Sequence, residues 1–215
     1  WMGFVLICLG EGGNFGAYAF APPVLVAPLG SIALVGNAFI APLFLGEPFR
    51  PRNLAGLSLV LLGTLVIIGV STETDEPALS PDDLIKALLS SQSLVYYVVT
   101  GATCSVLWYL SYRTSIGERL IFVDLALVAI FGGYTVLSTK AISSLMSLTF
   151  VKMFTYPVTY VMFFILVLTA VIQITFLNRS LSRFDSILVI PTNFVLFTAS
   201  SICASAVVFR DLSHT

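Results

Sequence analysis

Trp1–Phe20 reads WMGFVLICLGEGGNFGAYAF, and after Ala21-Pro22-Pro23 the chain resumes with VLVAPLGSIALVGNAFIAPLFL over Val24–Leu45. Each run supplies the roughly 20 mostly apolar residues that an α-helix needs to cross the hydrocarbon core of a bilayer. The break between them is a tight prolyl turn, because proline cannot continue the preceding helix. Two spans joined by so short a turn must run in opposite directions.

Working outward, five more runs qualify: Leu54–Val70, Leu94–Tyr112, Leu120–Ser138, Thr155–Leu177 and Ile187–Phe209. The chain is 58% apolar and 10% charged, against about 25% charged for a soluble domain. The fold class is therefore all-α, a polytopic transmembrane bundle with about seven spans. The chain opens on Trp1 inside one apolar run and stops soon after another, so it is expected to be truncated at both ends relative to a longer transporter. Gly132-Gly133 interrupts the fifth run and marks a kink or a close-packing point. The tail Thr139–Met153 continues that helix or lies at the interface. A net charge of −1 leaves no basic footprint for nucleic acid. Cys8, Cys104 and Cys203 all fall in apolar runs, so neither a disulfide framework nor a zinc site is expected.

Charge collects in the connections. The stretch 72–93 is an acidic loop between first-repeat helices at 1–71 and second-repeat helices at 94–215. Within it Ser80-Pro81-Asp82-Asp83 has the form of an N-cap with proline at the first helical position, so Pro81–Leu89 is expected to be a short interfacial helix. Arg50, Arg52, Arg113, Arg119, Arg179 and Arg183 fall on one side of the span pattern, and Lys86, Lys140, Lys152 and Arg210 on the other. The positive-inside rule puts the arginine-rich side in the cytosol and the acidic loop outside or in a lumen. In that orientation the sequon Asn178-Arg179-Ser180 is cytosolic and stays unmodified.

Two stretches repeat. Val26-Ala27-Pro28 precedes Phe44-Leu45-Gly46-Glu47 much as Val189-Ile190-Pro191 precedes Val208-Phe209-Arg210-Asp211. The second and seventh spans are an odd number of crossings apart and so run in opposite directions. That is the pattern of an inverted repeat, which lets a transporter open alternately to each side.

Within the spans the polar residues are few. Glu11 sits roughly 15 Å along its helix from Trp1, near the bilayer centre, where an acid costs about 2.5–3.5 kcal/mol on insertion scales. Asn14 and Tyr18 follow at helical spacing on the same face, and Gly12 with Gly16 forms a GxxxG pair suited to close helix approach. These residues either line a polar cavity or hold the bundle together by interhelical hydrogen bonds. Gln173 occupies in the second repeat roughly the place of Glu11 in the first. Asn178 and Asn193 are further cavity candidates, with helix–helix hydrogen bonding the equal alternative. Glu47 reads as an interfacial acid beside Arg50 and Arg52. Asp124 is expected to snorkel or to pair with Arg119, and Lys140 to be an interfacial anchor or a counter-charge. The one histidine, His214, lies in the tail, which excludes a Ser-His-Asp triad in the bilayer and an H-E-x-x-H zinc site. No P-loop or GxGxxG occurs. No enzymatic activity is expected, and a gradient or the membrane potential would drive transport.

The stretch Gly10-Glu11-Gly12-Gly13-Asn14-Phe15-Gly16-Ala17-Tyr18-Ala19-Phe20-Ala21-Pro22, continuing to Leu25-Val26-Ala27-Pro28-Leu29-Gly30, resembles a motif of the NIPA family of magnesium transporters. The resemblance continues through Phe44–Glu47, Val136–Lys140, Phe154–Tyr160, Gln173 and Val189–Pro191 to Asp211. The sequence departs from that family at Pro23, Asn37 and Thr192-Asn193-Phe194. The resemblance implies a fold of two inverted bundles, as in the related drug/metabolite transporters. It also implies Mg²⁺ movement into the cytosol at a plasma or endosomal membrane. Mg²⁺ is then cargo, and no cofactor is expected. Its ligands would be Glu11 and Asn14, since Mg²⁺ keeps several waters and needs only one or two carboxylates. Backbone carbonyls freed near Pro28 and Pro191 would assist. The expected partners are the lipid bilayer and Mg²⁺, with homo-oligomerisation left open. Two rival readings are an organic-metabolite or nucleotide-sugar carrier of the same superfamily and a non-transporting scaffold.

Overall fold

In hydrocarbon every backbone N–H and C=O must find its partner inside the segment, and a helix is the way a single apolar run achieves this. The computed structural model describes residues 2–32, 35–36, 51–70, 80–113, 120–148, 152–184 and 186–209. They form α1 (Met2–Phe20), α2 (Pro23–Leu29), α3 (Pro51–Val70), α4 (Pro81–Leu88), α5 (Ser91–Arg113), α6 (Ile121–Leu148), a 3₁₀ turn at Lys152–Thr155, α7 (Pro157–Arg183) and α8 (Ser186–Val208). Among the described residues there is no strand.

Four helices, α5 to α8, are long and apolar enough to cross a bilayer. Helices α1 and α3 have 19 and 20 residues. The span expected at Val24–Leu45 is described through its first turns only, so the count of about seven spans reaches beyond the described residues. Large apolar side chains stand exposed along one face after another, among them Leu62 and Leu65 on α3, Val95 and Val98 on α5, and Phe164 and Val167 on α7. A water-soluble surface does not tolerate contiguous apolar area of this kind. These are lipid-facing sides.

Helix α6 is the axis of the bundle. Two-thirds (67%) of its membrane window is buried, against 6% for α5 and 17% for α7. Its buried positions alternate aliphatic residues with small ones, including Ala129, Ser138, Ala141, Ser143 and Ser144. Small residues let helix backbones approach closely. Gly132-Gly133 is the tightest point, since a Cβ on Gly132 would stand 2.5 Å from the Phe197 ring of α8. The glycine pair is thus a close-packing point within a helix that runs on through the expected tail to Leu148.

Sequence signals set the helix ends. Asp83 N–H donates to the Ser80 hydroxyl at 3.2 Å, and Pro81 occupies the first helical position. The short helix α4 forms, one residue shorter than expected, and Leu84 and Ala87 share a core cluster with Leu137, Ile142 and Leu145 of α6. Ser80→Ala is expected to cost about 1 kcal/mol, read as a lowered thermal midpoint of the purified protein in detergent. Between α1 and α2, Pro22 takes an extended conformation (φ −66°, ψ 149°) and Pro23 opens α2. Helix α2 is tied to α3 by a Ser31–Thr64 hydroxyl pair at 3.0 Å and by Thr64 donating to the Pro28 carbonyl at 3.4 Å. The proline-bearing helices α2 and α8 also meet directly, for a Cβ on Gly30 would lie 3.4 Å from the Phe194 ring.

Candidate functional site

The second half of α1 turns into the bundle and the first half does not. Tyr18 is 8% exposed and packs with Val26 and Val136, whereas Glu11 and Asn14 stand exposed. The trio expected on one face is therefore divided: helical spacing aligns it, but packing begins only at Phe15. The close approach expected at Gly12 and Gly16 is not made by the described residues, none of which comes within 4 Å of a Cβ at either position.

A polar seam crosses the middle of the bundle between α6 and α7. Gln173 donates through Nε2 to the Thr135 hydroxyl at 2.5 Å. Thr135 and Thr169 share a second hydrogen bond of 2.9 Å. On the α5 side, Tyr134 is hydrogen-bonded to Thr100 and sits among Tyr96 and Tyr97. Asn193 on α8 is half-buried, and its Oδ1 is shut off from solvent without a hydrogen-bond donor, as is the Thr198 hydroxyl. A dehydrated acceptor left unpaired costs about 1–3 kcal/mol. No hydrogen bond joins Gln173 or Asn193 to Glu11 or Asn14 among the described residues. Asn178 is exposed on α7, and Glu47 lies outside the described residues.

Lys140 is no interfacial anchor. It is 3% exposed, and its Nζ donates to the Ala21 carbonyl at 3.1 Å. One turn further along α6, Ser143 donates to the Phe15 carbonyl at 2.6 Å. The hydropathy of the run suggested a span ending at Ser138. The helix runs ten residues further, which carries Lys140 into the bundle.

Asp124 also departs from expectation. Rather than snorkelling, it is fully buried, and Arg119 lies outside the described residues. The Ser111 hydroxyl donates to Asp124 Oδ1 at 2.6 Å. Arg179 Nε stands 3.6 Å and Arg183 Nη1 3.9 Å from Oδ2. The antiparallel packing of α6 on α7 explains this, because the first turn of one meets the last turns of the other. Arg179 also donates to the Ser111 carbonyl at 2.7 Å and lies 4.4 Å over the Tyr112 ring. The legible signal was Arg179 and Arg183 four residues apart on one helical face. Cys104 and Cys203 are both free thiols, and among the described residues no cluster of His, Cys, Asp and Glu gathers for a metal.

Helices with lipid-facing exteriors around a polar mid-bundle seam define an integral, multi-pass membrane protein. The family described as "Magnesium transporter NIPA" matches residues 1–215, and the chain belongs to that family. It is 34% identical over 213 residues to "NIPA-like protein 2" of Homo sapiens, covering 98% of this chain and 55% of that protein. It is 35% identical over 211 residues to the Mus musculus protein of the same name, covering 97% and 54%. To "Probable magnesium transporter NIPA6" of Arabidopsis thaliana it is 31% identical over 215 residues, covering 99% and 65%. The chain thus spans between about half and two-thirds of the length of these relatives. No solved structure matches it.

Proposed function

We propose that these helices are the spanning core of a protein that moves Mg²⁺ into the cytosol by alternating access, at a plasma or endosomal membrane. One observation carries the reading. The acids among the described residues are Glu11, Asp82, Asp83 and Asp124. Asp124 is held by two arginines, and Asp82 and Asp83 belong to the first turn of the interfacial helix. Glu11 is left as the carboxylate within a spanning helix that has no ion pair among the described residues. On this reading the exposed Glu11 side chain faces a water-filled path rather than lipid, as acids within spanning helices do.

Mg²⁺ dehydrates reluctantly and binds through one or two carboxylates plus retained waters. Glu11 and Asn14, one turn apart on the open face of α1, suit that demand. The Asn193 oxygen would serve as a further acceptor. Moving two charges through 100 mV is worth about 4.6 kcal/mol, roughly a 2000-fold concentration ratio, so the membrane potential suffices as the driving force. Alternating access is supported by the odd number of crossings between the two proline-bearing spans and by the direct meeting of α2 and α8. The halves at 1–71 and 94–215 would rock about that contact. An organic-anion carrier would instead need inward cations free to grip its cargo. Lys140 and Arg179 are both already engaged.

The test uses the full-length protein in liposomes with a negative-inside potential. Wild type takes up Mg²⁺, and Glu11→Gln loses at least about tenfold in rate, the scale of one lost charge-assisted interaction, at equal reconstitution. Full uptake by Glu11→Gln removes Glu11 from the pathway. Absence of uptake by wild type removes the transport reading in favour of a scaffold.

A further inference from the structure

Helices α5 and α7 meet at one end of the bundle and part at the other. Near the end of α5 they are joined by Arg179 on the Ser111 carbonyl at 2.7 Å and by Trp108 edge-on to Phe176 at 5.1 Å. Toward the starts of both helices a groove of about 550 Å³ opens between them. Its floor is α6 at Tyr134 and Ser138, and its α7 wall runs from Pro157 to Ile165. Ile85 and Leu89 of α4 line the end nearest the helix starts.

The groove has the dimensions of a lipid tail. Pro157 to Ile165 covers about 12 Å at the helical rise, most of the roughly 15 Å that one leaflet contributes to the hydrocarbon core. Spread over that length, the volume gives a mean cross-section of about 45 Å², about half that of a helix with its side chains. A hydrocarbon tail fits such a slot and a further helix does not. The lining is mostly aliphatic, and the Tyr134 hydroxyl is already bonded to Thr100, so the walls favour an apolar guest. The groove is also continuous with the lipid-facing surface. Ile85, Leu89 and Val161 on its rim stand exposed, and Val98 and Phe164 carry the same apolar faces on beside it. Left empty in a bilayer, the walls would forfeit their dispersion contacts, and the fluid at the rim is lipid. We propose that this groove is a binding site for the tail of a single phospholipid, which wedges between α5 and α7 on the floor of α6. The site does not depend on which ion the protein carries.

The test uses the full-length protein reconstituted in phosphatidylcholine nanodiscs, then transferred to detergent and washed free of bulk lipid. Bound phosphatidylcholine per protein is counted by mass spectrometry. Wild type is expected to retain a single phosphatidylcholine, and so is Val98→Trp, whose substitution lies on α5 outside the groove. Ile165→Trp fills the deep end of the groove and is expected to lose the lipid. Equal retention by Ile165→Trp and wild type, or no retention by wild type, overturns the proposal. Should Ile165→Trp fail to fold, a photoreactive benzophenone side chain placed at Val161 of the washed protein decides the matter. A phosphatidylcholine adduct there, with none from the same side chain at Val98, supports the site. A lipid adduct missing at Val161 or equal at both positions overturns it. An adduct to another segment of the chain or to a second copy shows that protein covers the groove, and overturns it as well.

Discussion

Asp124→Ala is expected to cost the bundle about 3–5 kcal/mol, the usual consequence of removing one partner from a buried ion pair. The carboxylate is fully buried and neutralises Arg179, whose side chain lies between α5, α6 and α7. Without it, the guanidinium keeps only the Ser111 carbonyl and the Tyr112 ring and remains an uncompensated charge. Asp124→Asn keeps the volume and an acceptor for the Ser111 hydroxyl at 2.6 Å. It should therefore recover the loss of packing but not the loss of charge. The measurement is reversible unfolding in mixed micelles. Trp108 packs edge-on to Phe176 at 5.1 Å between ring centres and reports on the same corner by its fluorescence. Equal stabilities of wild type and Asp124→Ala would show that Arg179 reaches solvent or another acceptor once the carboxylate is gone. Arg179→Lys should fall between, because an ammonium cannot make the carboxylate contact, the carbonyl bond and the ring stack together.

Much of this fold is written locally, and the site only partly. Apolar run length located the long helices among the described residues, and the Ser80-Pro81 and Pro22-Pro23 signals placed two helix starts to within a residue, since caps and prolines act on their own neighbourhood. What the sequence could not show is which neighbour each polar group meets. Gly12–Gly16 and Gly132-Gly133 look alike as invitations to close packing. Only the second is taken up among the described residues, because a glycine permits an approach and the facing side chain decides it. Asp124 and its arginines are far apart in sequence, so their meeting follows from the antiparallel pairing of α6 and α7. Lys140 was left between interfacial anchor and counter-charge because hydropathy stops at the cluster of Ser138, Thr139 and Lys140, and its burial excludes the first. A helix tolerates those residues once its neighbours supply carbonyls.

Gly132→Leu is expected to force α6 and α8 apart. A Cβ alone would stand 2.5 and 2.8 Å from two carbons of the Phe197 ring. That ring packs against the cluster of Tyr18, Val26 and Val136, so it cannot retreat without moving α1 and α2. Overpacking of this kind costs typically 1–3 kcal/mol and sometimes more, and leucine adds three carbons beyond the first. Intrinsic propensity pulls the other way, because replacing a helical glycine gains up to about 1 kcal/mol. Gly63→Ala and Gly101→Ala show that gain in isolation, since nothing lies within 4 Å of a Cβ at either position. Their thermal midpoints should hold or rise while that of Gly132→Leu falls. The clash has one owner, so Gly132→Leu combined with Phe197→Ala should be more stable than the sum of the separate losses predicts. A coupling of 0.5–3 kcal/mol is the range for residues in contact. Strict additivity would mean that the helices separate through some contact other than the Gly132–Phe197 pair.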